Sequence, residues 1–323
     1  MSTSVRVLGD VTVDLTLRIG TYPREGGDAF AAERRMATGG CGANVAITLA
    51  RMGLSPHVVA TVGDDVWGQQ AIAALASEGV GTETVSRDPV ALTHLTVIIV
   101  SGDAERTMIG HSGASALVGT APLVPPVDAL GALVVSGYAL FTSARARQAL
   151  RLISAAHDAR VPVVLDLPAE LPPAAHDTVR KAADGVRVLV TGTAAISALT
   201  GRRQPARAAE SACGPHRQVI VTLGPGGCLS VGPDGEERVP GMAVRAVDTT
   251  GAGDAFVAAY LAGWLGGLGL RDALALATAF GAAATLSQGT GTSLPRPADV
   301  WRDFGPQLPS AAATWLRSVR PDI

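Results

Sequence analysis

Two carboxylates, Asp248 and Asp254, stand six positions apart in the stretch DTTGAGDAFVAAYLAGWL, which opens on acids and small residues and then turns almost wholly apolar. Between them lie Gly251, Ala252 and Gly253. GAGD directly before a helical run sets backbone N–H groups at a helix N-terminus, where the macrodipole favours an anion. Small residues let that backbone approach the anion with no side chain in the way. Asp254 falls in the first helical turn, placed to take a proton from a hydroxyl beside the anion. An anion cradle next to a carboxylate base is what phosphoryl transfer to an alcohol requires. A plainer reading makes Asp254 an N-terminal cap and the glycines a turn; on this stretch alone the two weigh equally.

A second glycine-rich turn enters a helix at GGCGANVAITLARMG, Gly39 to Gly53. Its Val45, Leu49 and Met52 share one face, and Asn44 is the polar residue near its start. Other familiar sites are excluded by inspection. Lys181, the one lysine, is followed by alanine, so there is no phosphate-binding G-x-x-x-x-G-K-[ST] loop, and no glycine cluster completes G-x-G-x-x-G. Neither H-E-x-x-H nor G-x-S-x-G occurs.

The elements that must hold these turns alternate. β-Branched runs at VRVLG (from Val5), HVVATVG (His57), ALVVSG (Ala132), VPVVLDLP (Val161), VRVLVTG (Val186) and QVIVTLG (Gln218) are separated by alanine-rich helical stretches. That is an α/β pattern, and fully apolar strands suit a parallel sheet covered on both faces, with ligands beyond the carboxyl ends of the strands. Two segments break the rhythm. The first, VTVDLTLRIGTYPREGGDAFAAERRMATGG, is strand-like and charged; the second, ALTHLTVIIVSGDAERTMIGHSG, reads as a hairpin around Gly102 and Asp103. Together they predict a small β-appendage inserted into the α/β body. LVGTAPLVPPVDA is a loop.

With 323 residues, 47% of them apolar, the chain can bury a sizeable core. Its 26 basic and 28 acidic residues nearly cancel, which argues against nucleic acid as a partner. Cys41, Cys213 and Cys228 form neither a disulfide framework nor a zinc pair, as expected for a reducing, cytoplasmic setting. MSTSVRVLGD does not read as a signal peptide. The apolar runs Ala255–Leu270 and Ala273–Leu286 fall short of the ~20 residues of a membrane span and read as two closely packed buried helices.

Taken together, the two glycine-rich helix entries resemble the signature regions of the ribokinase-like (PfkB) carbohydrate kinase family. VDTTGAGDAF is specific to that family, and LGDVTVD, VGDDVWGQQAIAALASEGVGTETV, SGYAL, VTLGPGGCLSV and GTGTSLP follow in its order. The resemblance implies one kinase domain over 1–323: a mostly parallel central sheet flanked by helices, with a β-lid from inserted segments at about 11–38 and 91–112. It implies an ATP-dependent phosphotransferase acting on a hydroxyl of a small sugar or sugar acid, with Mg²⁺. Asp254 would be the base, and the backbone of Gly251, Ala252 and Gly253 the anion hole. Asp14, Gly40 and Asn44, with Asp10 nearby, match acceptor-binding positions. TLGPGG, with Thr222, Gly224 and Gly227, matches the loop at the ATP phosphates, and Thr278 opens the segment bordering adenine. Asp248, Thr250 and Ser293 match a site for a monovalent cation, K⁺ in many members; the plain alternative for Asp248 is a turn cap.

The chain also departs from the pattern. Gly192 and Ala195 stand where the family carries the two side chains of N-x-x-E, an element tied to magnesium and phosphate, so that the metal would rest mainly on ATP oxygens and water. Pro225 and Gly226 replace an expected arginine, Thr12 an asparagine, and Cys41 a lysine of ribokinases proper. Of the lid residues Arg35, Arg106 and His111, Arg106 is favoured as an acceptor contact. The alternatives are a nucleoside kinase, or a member that binds sugar or nucleotide without turnover. Exposed lid edges predict a homodimer through the lid.

Overall fold

Strands without a polar face are stable only where helices cover both sides. In the computed structural model, which describes residues 3–102, 106–121 and 123–319, the six apolar runs become β1 (Ser4–Leu8), β4 (Ser55–Gly63), β8 (Ala132–Ser136), β9 (Val163–Asp166), β10 (Val188–Gly192) and β11 (Gln218–Thr222). With β5 (Val85–Asp88), β12 (Cys228–Val231) and β13 (Glu237–Val239) they form a nine-stranded sheet of order β13-β12-β11-β10-β9-β8-β1-β4-β5. Every pairing from β11 to β5 is parallel; β12 and β13 close one edge antiparallel.

The two-residue period sends neighbours of one strand to opposite layers. Ala132 and Val134 join the cluster packed by α1 (Cys41–Arg51), α2 (Val66–Ser77), α7 (Ala252–Leu265), α8 (Leu270–Ala284), α9 (Pro297–Phe304) and α10 (Ser310–Val319). Leu133 and Val135 join the one packed by α3 (Ser143–Asp158), α4 (His176–Ala183), α5 (Thr193–Thr200) and α6 (Pro205–Ala212). The two greasy runs are the buried α7 and α8; a Cβ on Gly263 would meet Leu276 at 3.2 Å, so the pair packs closely. Among the described residues no helix is long and apolar enough to cross a membrane.

The two rhythm-breaking segments form a second sheet of order β3-β2-β6-β7: β2 (Thr12–Arg18), β3 (Glu33–Gly39), β6 (Leu95–Val100) and β7 (Arg106–His111). β6 and β7 are the expected hairpin, Leu95 opposite His111 and Val100 opposite Arg106; Asp103 in its turn lies outside the described residues. The central pair β2 and β6 is parallel, so the sheet is mixed. Register sorts its side chains by face. Thr12, Asp14, Thr16 and Arg18 share one face with Thr96, Ile98, Val100 and Met108; Val13, Leu15, Leu17, Met36, Val97, Ile99 and Ile109 share the other.

Candidate active site

The carboxyl ends of the parallel strands, the N-termini of α1 and α7 and one face of the second sheet enclose a cavity of about 690 Å³. Asp10, Asp14, Gly40, Asn44, Thr222, Thr250, Gly251, Gly253 and Asp254, all named from the sequence, line it together. A second cavity of about 470 Å³ collects Thr222, Gly224, Gly227, Ala252, Gly253 and Thr278. The two share Thr222, Thr249 and Gly253, so they meet at the start of α7.

Gly251 precedes α7 at φ 78°, and a Cβ there would lie 2.9 Å from Leu294. The positive φ is what requires glycine. A Cβ on Gly253 would instead meet nothing within 4 Å, so the first turn is open on the side that Gly253 presents, and Gly253 itself lines both cavities. The first N–H groups of a helix lack intrahelical acceptors, and the one outside contact here among the described residues is a long one, from the Ala252 N–H to the Thr249 carbonyl at 3.4 Å, so the turn suits an anion.

Asp254 does not cap α7, whose N-terminus has no side-chain cap. Its Oδ2 accepts a hydrogen bond from Asn44 Nδ2 at 2.6 Å. Asn44 is buried, and its Oδ1 in turn accepts from the backbone N–H of Gly291 at 2.8 Å. The Asp254 carboxyl looks into the cavity and is hemmed by protein elsewhere. Burial pushes its pKa up to about 6 despite the opposing bond from Asn44, and the charge of Asp14 adds to the rise. A carboxylate of that pKa is ionised near neutrality yet basic enough to take a proton in flight.

Asp14 sits on β2 over the same cavity, its oxygens accepting from Thr12 Oγ1 at 3.0 Å and Thr290 Oγ1 at 2.7 Å. Burial raises its pKa against those two hydrogen bonds. Asp10 is paired with the buried Arg145 of α3. Thr12 thus serves Asp14 and is itself buried. Cys41 lines the cavity at the start of α1 and lies 2.9 Å from Ser136 Oγ; burial raises its thiol pKa, so it is a neutral group here.

Asp248, Thr250 and Ser293 border a third cavity of about 300 Å³ that touches Asp14. Asp248 Oδ1 accepts from the Thr250 backbone N–H at 2.9 Å and its hydroxyl at 2.7 Å, and Oδ2 from Gly289 N–H at 3.1 Å. It braces the turn before α7 against the loop at Gly289. The side chain of Arg106 lies outside the described residues; its backbone places it opposite Val100.

Sequence reasoning missed four residues here. Asp166 ends β9 in the cavity; burial, then the charge of Asp254, raises its pKa well above the carboxylate range. The signal was present, since ligands gather beyond strand ends and this strand ends in an acid. His94 and Arg145 had no comparable signal, and Tyr138 lies within SGYAL, a motif whose sequence does not mark the ring as cavity-facing. His94 lines the cavity with its Nδ1 lacking a partner among the described residues, and burial lowers its pKa toward the neutral imidazole. Tyr138 is 48% exposed into the same space and packs edge-on against Phe141, with ring centroids 5.4 Å apart. Ala195 is fully buried in the core and does not line the cavity.

The chain is 32% identical over 280 residues to the ATP-dependent ribose-1-phosphate kinase of Halopiger xanaduensis, covering 86% of this chain and 91% of that protein. It is 27% identical over 307 residues to ribokinase of Mus musculus, covering 92% and 93%. The solved structure of Arabidopsis thaliana ribokinase complexed with ribose and ATP shares the fold, with a TM-score of 0.79, 24% identity and coverage of 94% and 98%. The family model for pfkB family carbohydrate kinases matches residues 2–297, and the chain belongs to that family of kinases.

Proposed function

We propose that this protein transfers the γ-phosphoryl group of ATP to a primary hydroxyl of a small sugar or sugar acid. The observation that carries this reading is the meeting of two cavities at Gly253, with Asp254 one residue on. The cavity of Gly224, Gly227 and Thr278 has the mostly apolar walls, Met242, Val244 and Phe256 among them, that suit a nucleotide base. The cavity of Asp14 and Asn44 has the hydrogen-bonding groups that suit hydroxyls. ATP with Mg²⁺ supplies the phosphoryl group and neutralises its oxygens. Asp254 takes the acceptor's proton, the N–H groups of Gly251, Ala252 and Gly253 receive the transferring oxygens, and Asp10, Asp14, Gly40 and Asn44 orient the acceptor. Arg106 is the proposed acceptor contact from the lid.

The second sheet, with segments 11–38 and 91–112, is the proposed lid: Asp14, Thr96, Ile98 and Met108 on one face line the acceptor cavity. Its other face carries Leu15, Leu17, Met36, Val97, Ile99 and Ile109, with Ile109 58% exposed and Met36 39% exposed. An apolar sheet face of this kind supports a homodimer through the lid, and the feature that favours it is a face more than an edge. Asp248, Thr250 and Ser293 are proposed to hold a K⁺ ion that orders the anion hole, and ATP use with unpaired cysteines supports a cytoplasmic setting.

A nucleoside acceptor is the second reading, favoured by Tyr138, whose exposed ring offers a stacking face. ATP turnover measured with ribose, ribose 1-phosphate, fructose, 2-keto-3-deoxygluconate, adenosine and inosine separates the two. Acceptor-dependent ADP release with a sugar is expected. Binding without turnover for every acceptor would sink the transferase reading.

A further inference from the structure

Four carboxylates line the acceptor cavity: Asp10, Asp14, Asp166 and Asp254. Three have partners. Asp10 is paired with Arg145, Asp14 with the hydroxyls of Thr12 and Thr290, and Asp254 with the amide of Asn44. No hydrogen bond or ion pair reaches the Asp166 side chain among the described residues. Placing a second, uncompensated carboxylate within electrostatic reach of the base is costly, because like charges enclosed by protein repel strongly and neither is solvated well. A fold tolerates that arrangement where a cation joins it during function.

The ground beside Asp166 is open. β9 and β10 pair with Asp166 opposite Val190, so the end of β10 at Thr191 and Gly192 lies alongside the carboxylate. A Cβ on Gly192 would meet only Thr222 Oγ1, at 3.9 Å, so a side chain could be accommodated where there is none. Thr222 in turn lines both the acceptor and the nucleotide cavities, with its hydroxyl 3.3 Å from the Thr191 carbonyl. The space between Asp166 and Thr222 is therefore bordered by oxygen atoms and reaches the nucleotide side. Mg²⁺ favours such a setting: it retains several waters and takes one or two carboxylates together with phosphate oxygens.

We propose that Asp166 is the protein's carboxylate for the nucleotide-bound Mg²⁺, directly or through one coordinated water, in place of the side chains absent at Gly192 and Ala195. This rests on the kinase reading for its biological sense, but its test does not need turnover. Asp166 would hold the metal on the side of the cavity that reaches Thr222, and the positive charge would ease the repulsion between Asp166 and Asp254.

The experiment is a Mn²⁺ titration followed by electron paramagnetic resonance, with the full-length protein saturated by a non-hydrolysable ATP analogue. Wild type is expected to hold Mn²⁺ more tightly than the analogue alone does. Asp166→Asn keeps the shape and removes the charge; it is expected to weaken Mn²⁺ by about 10- to 100-fold, the usual cost of losing a group that supports a metal. Asp166→Glu should recover part of the loss. Circular dichroism and metal-free analogue binding establish that each variant is folded and still takes nucleotide. Titrations of wild type and Asp166→Asn that coincide would overturn the proposal, as would a wild-type complex that holds Mn²⁺ no better than the free analogue. Failure of the kinase reading would appear separately, as absence of acceptor-dependent ATP turnover with these Mn²⁺ affinities intact.

Discussion

Asn44 Nδ2 and Asp254 Oδ2 lie 2.6 Å apart, joining the helix entry near the start of the chain to the one near its end. The same amide accepts from Gly291 N–H at 2.8 Å, so one buried side chain fixes the base and the loop behind it. A carboxylate held in this way meets an acceptor hydroxyl in one orientation, and that orientation is the larger part of what a general base contributes.

Asp254→Asn preserves the contact, because the new amide oxygen can still accept from Asn44, and it removes the base. Steady-state assays should show kcat lower by roughly 10²- to 10⁴-fold, with nucleotide affinity unchanged. Turnover near the wild-type value would remove Asp254 from its assigned role.

The raised pKa of Asp254 gives activity and stability opposite pH trends. The ionised base is needed, so kcat/KM should climb with pH through about 6 and then level off. For stability, the folded-state pKa of about 6 exceeds the unfolded value, which is about 3.9. The folded form therefore binds more protons in that window, and this group's contribution is fully present below pH ~4 and lost as pH rises through ~6. Asp254→Asn should thus be more stable than wild type at pH 7.5, on the order of 1–3 kcal/mol, with the gain vanishing near pH 4. Urea unfolding at the two pH values measures this; a gain of equal size at both would refute the cause given.

Asn44→Leu tests the link from the other side. Asn44 holds the Asp254 pKa down, so its loss should move the acid limb of kcat/KM to higher pH as well as lower the plateau. A lower plateau with an unmoved limb would mean that Asn44 contributes only packing.

How much of this was legible in the sequence depends on whether a feature is local. The six central strands and the helices at Ala252 and Leu270 could be read because an apolar run has one stable environment, and GAGD could be read because a helix entry and its acid are contiguous. The Asp10–Arg145 pair joins residues far apart in the chain, and nothing in the sequence around Arg145 marks it as buried. Asp166 shows the intermediate case. Its position at a strand end was visible, but its lack of a partner among the described residues is a property of the assembled cavity. Asp248, open between a turn brace and a cation ligand when read from sequence, bonds Thr250 and Gly289, contacts that suit either role.

Arg51 carries the support outward from the site. Buried in α1, it binds both oxygens of Glu78 at 2.8 Å and the carbonyl of Thr292 at 2.9 Å, holding the loop that presents Thr290 to Asp14 and Gly291 to Asn44. Glu78→Gln leaves the guanidinium buried with its charge uncompensated on that side. The expected cost is about 3–5 kcal/mol, the range for breaking a buried pair by removing one partner. The Arg51 guanidinium holds the Glu78 carboxyl below its usual range, so the pair's contribution is present above the unfolded pKa and lost as pH falls through the folded one. Acid unfolding curves of wild type and Glu78→Gln should therefore converge as pH drops below ~4, while they stand apart at neutral pH. A constant separation across that range would show that Glu78 supports the loop by its shape and not by its charge.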